Sequence, residues 1–599
     1  MSMPPLDAPP PQTLRDYALI ADGERGALIG GHGDIPWMCA PRWDSDAVFS
    51  SLIGGRGHYT ISPRGRFVWG GYYEEGSLIW RSRWVTQEGI VECREALAFP
   101  GDPHRAVLLR RIIAVQGPAH VTAALAPYAG FGADPPRRIR HEEDGTWTGN
   151  SAGLRWRWRG ADRACPRPGP SAPEGLDLRL DLRAGEQHDL VLELSDAPLP
   201  SPEEPSALWS ATEDAWKREE PHLAPALAPE DARHAYTLLR GLTSRTGGMV
   251  GAATTSLPER AEEGRNYDYR YVWIRDQCLA GQAAAAADGH PLLDAAVDFI
   301  SARLLQDGPR MAPAYTLTGG RIPDQRTLGL PGYPGGFDRV GNWVNRQFQL
   351  DAFGEALLLF AAAHRKGRLD REGWRAAQIA VEAIRRRRHE PDAGVWELRA
   401  RHWTHSRLIC VAGLRALATA APAAEHVATW SALADSLLAE TAATSLHPSG
   451  RWQRAPDDPG LDAALLLPPV RGGLPPDDPR VRRTLSAYTR ELTRDHYAYR
   501  FRHDERPLAE AEGAFLLCGY AVALAEHEQG HREEALRWFE RNRAACGPPG
   551  LFTEEYDIGQ RQLRGNLPQA FVHALMLETA TRLAADPQPG FSSERDTTP

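Results

Sequence analysis

The feature that most constrains this chain is a change in the spacing of its apolar residues. Up to about residue 200, apolar and polar residues alternate in short runs. Examples are HYTISPRGRFVWGGYYEEGSLIWRSRWV from His58, RAVLLRRIIAV, GLRWRWRG and GLDLRLDLRAGEQHDLVLELS. Gly, Pro and Asp separate these runs, which is the pattern of strands with one buried face. The proline-rich stretch Leu199-Pro-Ser-Pro-Glu-Glu-Pro-Ser206 then breaks the chain. Beyond it, apolar residues recur at i, i+3, i+4 and i+7, as in RQFQLDAFGEALLLFAAAHRK, EGWRAAQIAVEAIRRRR and LPQAFVHALMLETATRLAA. That spacing lines one face of a helix.

Two architectures therefore share one chain. Residues from about 12 to 200 are expected to form an antiparallel β-sandwich, with Gly175–Ser195 as a hairpin turning at Arg183–Glu186. About eleven or twelve helices are expected between 207 and 586. Long irregular segments such as Gly308–Asn345 and His389–Thr404 separate them in pairs. Paired helices with long loops suggest an α/α toroid whose loops build a site at one end. A helical solenoid is the alternative, although no fixed sequence period stands out. The expected division is 1–205 for the β domain, 206–228 for a linker helix, 229–586 for the helical catalytic domain, and 587–599 for a disordered polar tail.

Composition narrows the function. A net charge of −9 without a basic run argues against nucleic acid as a partner. No apolar run is long enough to span a membrane, and the N-terminus MSMPPLDAPPPQTLRDY has no secretory pattern. The seven cysteines are scattered without a CxxC pair, which fits neither a disulfide framework nor a zinc site. Together these features predict a cytoplasmic protein without metal or cofactor.

Four segments concentrate aromatic and charged residues. Asn266–Gln277 carries Tyr269, Trp273, Arg275 and Asp276: aromatic faces to stack on sugar rings and charged groups to hold hydroxyls. It reads equally as a helix start with a structural Arg–Asp pair. His389–Arg399 places Glu397 after Trp396 on a Gly/Pro turn. An apolar neighbour raises a carboxyl pKa, as a general acid requires; the plainer reading pairs Glu397 with Arg399 or Arg401 at the surface. Gly550–Asp557 holds Glu554 and Glu555 in a loop before a helix, either to activate water or as a solvated acidic turn. His496–Phe501 and Glu510–Phe515 offer Arg500 and Glu512 as sugar contacts or as a buried ion pair. No G-x-S-x-G, H-E-x-x-H, P-loop or G-x-G-x-x-G motif is present, and the histidines lack metal-ligand spacing.

The order of these segments resembles glycoside hydrolase family 15, which includes glucoamylases, glucodextranases and bacterial trehalases. The likeness runs from IADGERGALIGGHGDIPWMCAPRWDSDAVFSSLIGG through YDYRYVWIRDQ, NRQFQLDAFGEAL, PDAGVWELR, YRF, EGAFLLC and EEYD to GNLPQAFVHAL. The resemblance implies a multidomain fold: an N-terminal β-supersandwich followed by an all-α (α/α)6 barrel. It implies inverting hydrolysis of an α-glucoside, with Glu397 as general acid and Glu554 as general base. It also implies that Arg275 and Asp276 grip the non-reducing glucose, that Tyr269 stands beside the base, and that Trp273, Trp396, Arg500 and Glu555 complete the sugar site. The partner would be a small carbohydrate.

Departures fall on the leaving-group side. The family helix after the acid usually reads S-K-x-x-x-W-V-A-L-D-R; here it is Ser406-Arg-Leu-Ile-Cys-Val-Ala-Gly-Leu-Arg415. Leu398 replaces a second Glu of fungal members, and Gly519-Tyr520-Ala521 replaces S-F-W. Trehalose and short malto- or isomalto-oligosaccharides are the expected substrates. A phosphorolytic transferase needs only one catalytic carboxylate, and a binding protein needs none, so the presence of both favours hydrolysis. Trp37 and Trp43 raise the question whether an N-terminal loop reaches the site; two core aromatics of the sandwich are the expectation.

Overall fold

The computed structural model describes residues 9–169, 173–261, 264–421, 424–503 and 506–585. The expected tail at 587–599 lies outside them. The N-terminal part is sheet, with every strand pair antiparallel. An eight-stranded sheet faces a five-stranded one. Trp80, Trp84, Leu108, Ile112, Trp156 and Leu192 of the first share one buried cluster with Ile61, Val121, Leu125, Leu176 and Leu178 of the second. Period-two spacing explains this, because every second side chain points at the facing sheet.

The expected hairpin at Gly175–Ser195 is corrected. Gly175–Leu182 pairs with Ala119–Ala126 in the five-stranded sheet. Gln187–Ser195 pairs with Arg105–Ile113 in the eight-stranded sheet. The turn itself is there, with the Glu186 N–H donating to the Arg183 carbonyl at 2.9 Å. It carries the chain from one sheet to the other, so Leu176 and Leu178 share one core with Leu190 and Leu192 of the facing sheet. Turn residues specify a reversal but not which edge each strand joins.

After the proline-rich break, helix α1 (Pro205–Glu219) lies against the eight-stranded sheet. The Trp209 indole donates to Asp189 at 3.0 Å, and Arg94 bonds Glu213 at 2.6 Å. The helix is shorter than the expected 206–228 linker because Pro221 and Pro225 follow, and residues before proline leave the helical region. The stretch beyond it is pinned to the helical part, with the Leu227 N–H donating to the Ala580 carbonyl at 2.9 Å.

Among the described residues eleven further helices of twelve or more residues follow: α2 Pro229–Leu242, α3 Ile274–Ala286, α4 His290–Asp307, α5 Asp351–Arg365, α6 Arg371–Arg387, α7 Thr404–Ala420, α8 Ala424–Thr444, α9 Pro479–Glu491, α10 Leu516–Glu528, α11 Arg532–Arg543 and α12 Ala570–Ala584. They sort into two kinds. In α3, eleven of 13 residues are buried; in α11, four of 12 are. Helices buried on all sides form an inner layer, and those with one apolar stripe cover it. Helix α3 packs on α5, α5 on α7, α7 on the short turn Leu467–Val470, that turn on α10, α10 on α12, and α12 on α3. At the α5–α7 crossing a Cβ on Gly413 would overlap the Gly354 carbonyl, so these helices pack backbone to backbone. Among the described residues no helix is long and apolar enough to cross a membrane.

The four-stranded sheet Ala18–Ala21, Gly26–Ile29, Trp37–Cys39 and Ala47–Phe49 joins the two parts. Trp37 and Trp43, expected in the sandwich core, belong instead with Leu28 to the buried cluster of Ala253, Leu257 and the inner helices, and the Trp37 indole donates to the Ala253 carbonyl at 2.8 Å.

Candidate active site

Segments between the helices supply the walls of one cavity of about 220 Å³. Tyr269 and Arg275 come from the entry to α3, Trp396 and Glu397 from the turn before α7, Arg500 from the segment before α10, and Glu554 from the segment before α12. Trp273, Asp276 and Glu555 stand one layer back, each 1% exposed or less. They touch the lining residues rather than the open space.

Glu397 lies at φ +56°, in the left-handed region that non-glycine residues avoid at a cost of roughly 1–3 kcal/mol. Gly394, at φ +69°, makes the preceding bend. This turn leaves the Glu397 side chain 22% exposed. Trp273 Nε1 donates to Glu397 Oε1 at 2.6 Å, and Arg275 Nη1 lies 3.7 Å from the same oxygen. Burial raises the Glu397 pKa above the ordinary carboxylate value, against the pull of Arg275 and Trp273. The cation beside Glu397 is therefore Arg275 and neither Arg399 nor Arg401; Arg401 faces Asp457 and Asp458 instead.

Arg275 also donates to Asp276 Oδ2 at 2.9 Å and to the Val395 carbonyl at 2.6 Å. The structural and functional readings of this pair thus coincide: Asp276 holds an arginine that both props the Glu397 turn and lines the cavity. Trp396 Nε1 donates to Asp462 at 2.8 Å, which fixes its ring on the wall.

Glu554 and Glu555 do not lie in a plain loop. Glu555–Asp557 is a strand that pairs with Ala514–Phe515 and Gln562–Arg564. Successive side chains of a strand point to opposite faces. Glu554 faces the cavity, while Glu555 accepts the Gly513 N–H at 2.7 Å. The Tyr269 hydroxyl donates to Glu554 Oε2 at 3.2 Å. Burial raises the Glu554 pKa well above the usual range, and the neighbouring Glu259 adds to the rise.

Arg500 joins a buried ionic cluster. Its Nη2 lies 2.6 Å from Glu512 Oε2 and 3.6 Å from Glu555 Oε1. Arg265 Nη1 stands 3.1 Å, and His503 Nε2 2.8 Å, from the same Glu512 oxygen. Burial pushes Glu512 up, but Arg500 and the His503 ring outweigh it and bring its pKa to about 2. Glu512 is a buried structural partner, whereas Arg500 also faces the cavity.

Several wall residues escaped the sequence reading. Glu259, Arg265, Glu355 and Phe571 line the cavity, and Gln349 hydrogen-bonds Glu397. Gln349 and Glu355 sit within NRQFQLDAFGEAL, where an acidic residue on an otherwise apolar inner helix was the available signal. Glu259 had none. Exposed Tyr267 and Trp343 stand on the same wall, 38% and 40% exposed.

Paired carboxyls with raised pKa, aromatic walls and arginines are the groups that acid–base cleavage of a sugar uses. The family model described as glycosyl hydrolases family 15 matches residues 233–581. The chain belongs to glycosyl hydrolases family 15. A second model, described as trehalase-like, N-terminal, matches residues 8–154. The chain is 30% identical to a trehalase of Mycobacterium tuberculosis, over 97% of this chain and 91% of that one. It is 29% identical to a trehalase of Mycolicibacterium smegmatis, over 95% and 91%. A bacterial glucoamylase solved with acarbose has the same fold, with a TM-score of 0.70 at 12% identity over 97% of this chain and 96% of that one. This family 15 chain is a glycoside hydrolase of trehalase or glucoamylase-like type.

Proposed function

We propose that this family 15 enzyme is an inverting, exo-acting α-glucosidase that releases β-glucose from the non-reducing end, with trehalose as its first substrate and short α-gluco-oligosaccharides next. The observation that carries the choice of trehalose is similarity to trehalases along almost the whole chain, including the trehalase-like N-terminal part. In this reading the inner and outer helices close as an (α/α)6 barrel over 229–586, behind a β-supersandwich over 1–205. Seven unpaired cysteines support a reducing, cytoplasmic setting.

Arg275, held by Asp276, grips the terminal glucose, while Tyr269, Trp396 and Arg500 border it. Glu397, whose protonated form burial favours, donates to the glycosidic oxygen as the C1–O bond breaks. Glu554 takes a proton from water as that water bonds C1 from the other face. The two carboxyls then need roughly 6.5–9.5 Å between them to admit the water. Two carboxyls facing one cavity favour hydrolysis over phosphorolysis, which needs one.

Inversion makes a specific demand on trehalose. The attacked glucose leaves as the β-anomer and the other as the α-anomer. Proton NMR of early product is expected to show both in equal amounts; α-glucose alone would overturn inversion. Glucose release from trehalose, maltose, isomaltose, kojibiose, nigerose and dextrin, with and without phosphate, tests the substrate. Negligible release from trehalose beside rapid release from another sugar would remove it from first place.

A further inference from the structure

Glu259 lines the same cavity as Glu554, and its side chain is buried beside that residue. The Pro258–Arg260 segment is locked in place. The Gly565 N–H donates to the Pro258 carbonyl at 2.9 Å, and the Glu259 N–H donates to Arg265 O at 3.2 Å. A Cβ on Gly565 would stand 3.6 Å from both Glu259 Cγ and Glu554 Cβ, so the two side chains flank one glycine. Their carboxyl groups lie within hydrogen-bonding reach of each other. Two carboxyl groups hydrogen-bond only when one of them carries a proton.

The surrounding charges demand the same thing. Glu259, Glu512, Glu554 and Glu555 are each 5% exposed or less. Facing them are two guanidinium groups, Arg265 and Arg500, and Glu512 bonds both. Arg500 is left 4.0 Å from Glu259. His503, at 2.8 Å from Glu512, adds charge only when protonated. From the α3 entry, Tyr267 and Tyr269 present neutral hydroxyls, and Arg275 is already held by Asp276. Four buried carboxylates against two fixed cations leave an excess that a proton relieves.

We propose that Glu259 is a positioning residue for the general base, forming with Glu554 a carboxyl pair that holds one proton between them. The inference rests on Glu554 being the base. In the reactive form the proton sits on Glu259, which donates to ionised Glu554. Water then loses a proton to Glu554 while its oxygen bonds C1. The glycosidic bond breaks toward the leaving oxygen, which takes the Glu397 proton. The doubly protonated pair afterwards releases one proton to solvent, and Glu397 regains one. The pair thus titrates as a unit, and its loss of one proton sets the acidic limb of activity.

The test is the pH profile of kcat/KM. Glu259→Gln puts one neutral donor in place of another, so the acidic limb is expected to stay, as is the alkaline limb, set by Glu397. Glu259→Leu removes the donor and is expected to move the acidic limb up by about one pH unit, while Glu259→Asp is expected to keep it near the wild type. An acidic limb that moves down by about one pH unit or more in folded Glu259→Gln, or stays unmoved in folded Glu259→Leu, overturns the proposal. Should these variants not fold, infrared difference spectra decide: near pH 6 the wild type is expected to show one more protonated carboxyl than Glu554→Gln, above the absorption that Glu397 and Asp351 give in both. Identical bands overturn the shared proton. Near-normal turnover by Glu554→Gln would instead overturn the base assignment beneath it.

Discussion

The Trp273 indole donates to Glu397 Oε1 at 2.6 Å, so a residue buried behind the wall holds the carboxyl that faces the cavity. The same ring packs edge-on against Tyr269, at 5.4 Å between centroids, and Tyr269 donates to Glu554. Two touching rings thus carry the two carboxyls. A donor to the charged form lowers a pKa, so Trp273 acts against the burial that raises Glu397. Trp273→Phe keeps the ring contact and loses the donor. The alkaline limb of kcat is expected to rise by about one pH unit. A pH–rate profile checks this, and an unmoved limb would show that Trp273 does not tune the acid.

Glu397→Gln and Glu554→Gln each remove one proton-transfer group while preserving shape. Each is expected to lower kcat by roughly 10²–10⁴-fold. Calorimetric titration should still detect trehalose binding. Near-wild-type turnover in either variant would refute its assigned role.

Arg270 connects the two halves of the molecule. Its guanidinium lies 2.7 Å from Asp268 and donates to the Ser45 carbonyl at 2.6 Å, and it packs over Trp37 and Phe131. Arg270→Met leaves Asp268 buried without its cation, at a cost of about 3–5 kcal/mol. Thermal unfolding is expected to show a lower Tm, and adding Asp268→Asn should recover part of it.

Asp351 is fully buried, and neither carboxyl oxygen accepts a hydrogen bond from another described residue. Burial first, and then Asp392, push its pKa up to about 8 despite Arg275. A carboxyl whose folded pKa exceeds its unfolded value favours the fold below the unfolded pKa. That contribution is lost as pH rises from about 4 through about 8. Asp351→Asn is expected to stabilise the protein at pH 8, by roughly 2–5 kcal/mol, with no gain below pH 4. Denaturant unfolding at both pH values measures it; equal effects at both would refute the titration.

The large divisions of the fold are local properties of the chain. Strand alternation before Leu199 and helical spacing after Ser206 follow from how often a side chain must face a core, and neighbouring residues suffice to show that. The aromatic–carboxyl clusters at Tyr269–Asp276, Trp396–Glu397 and Glu554–Glu555 are equally local, so the order of residues singles them out. Which sheet Gly175–Leu182 joins was not legible, because the pairing partner Ala119–Ala126 lies far off in sequence. The cation beside Glu397 was not legible either: Arg399 and Arg401 are nearer along the chain, yet Arg275 is nearer in space. Glu259 stands in an unremarkable acidic stretch of sequence, and only the fold, through Gly565, brings it beside Glu554. Sequence alone determined the two layers of architecture, the family and the side chains available for acid–base work. Tertiary structure decided which of those carboxyls face one cavity, which stand behind it and which cations they meet, because burial and charge pairing act across distances in space that the order of residues does not record.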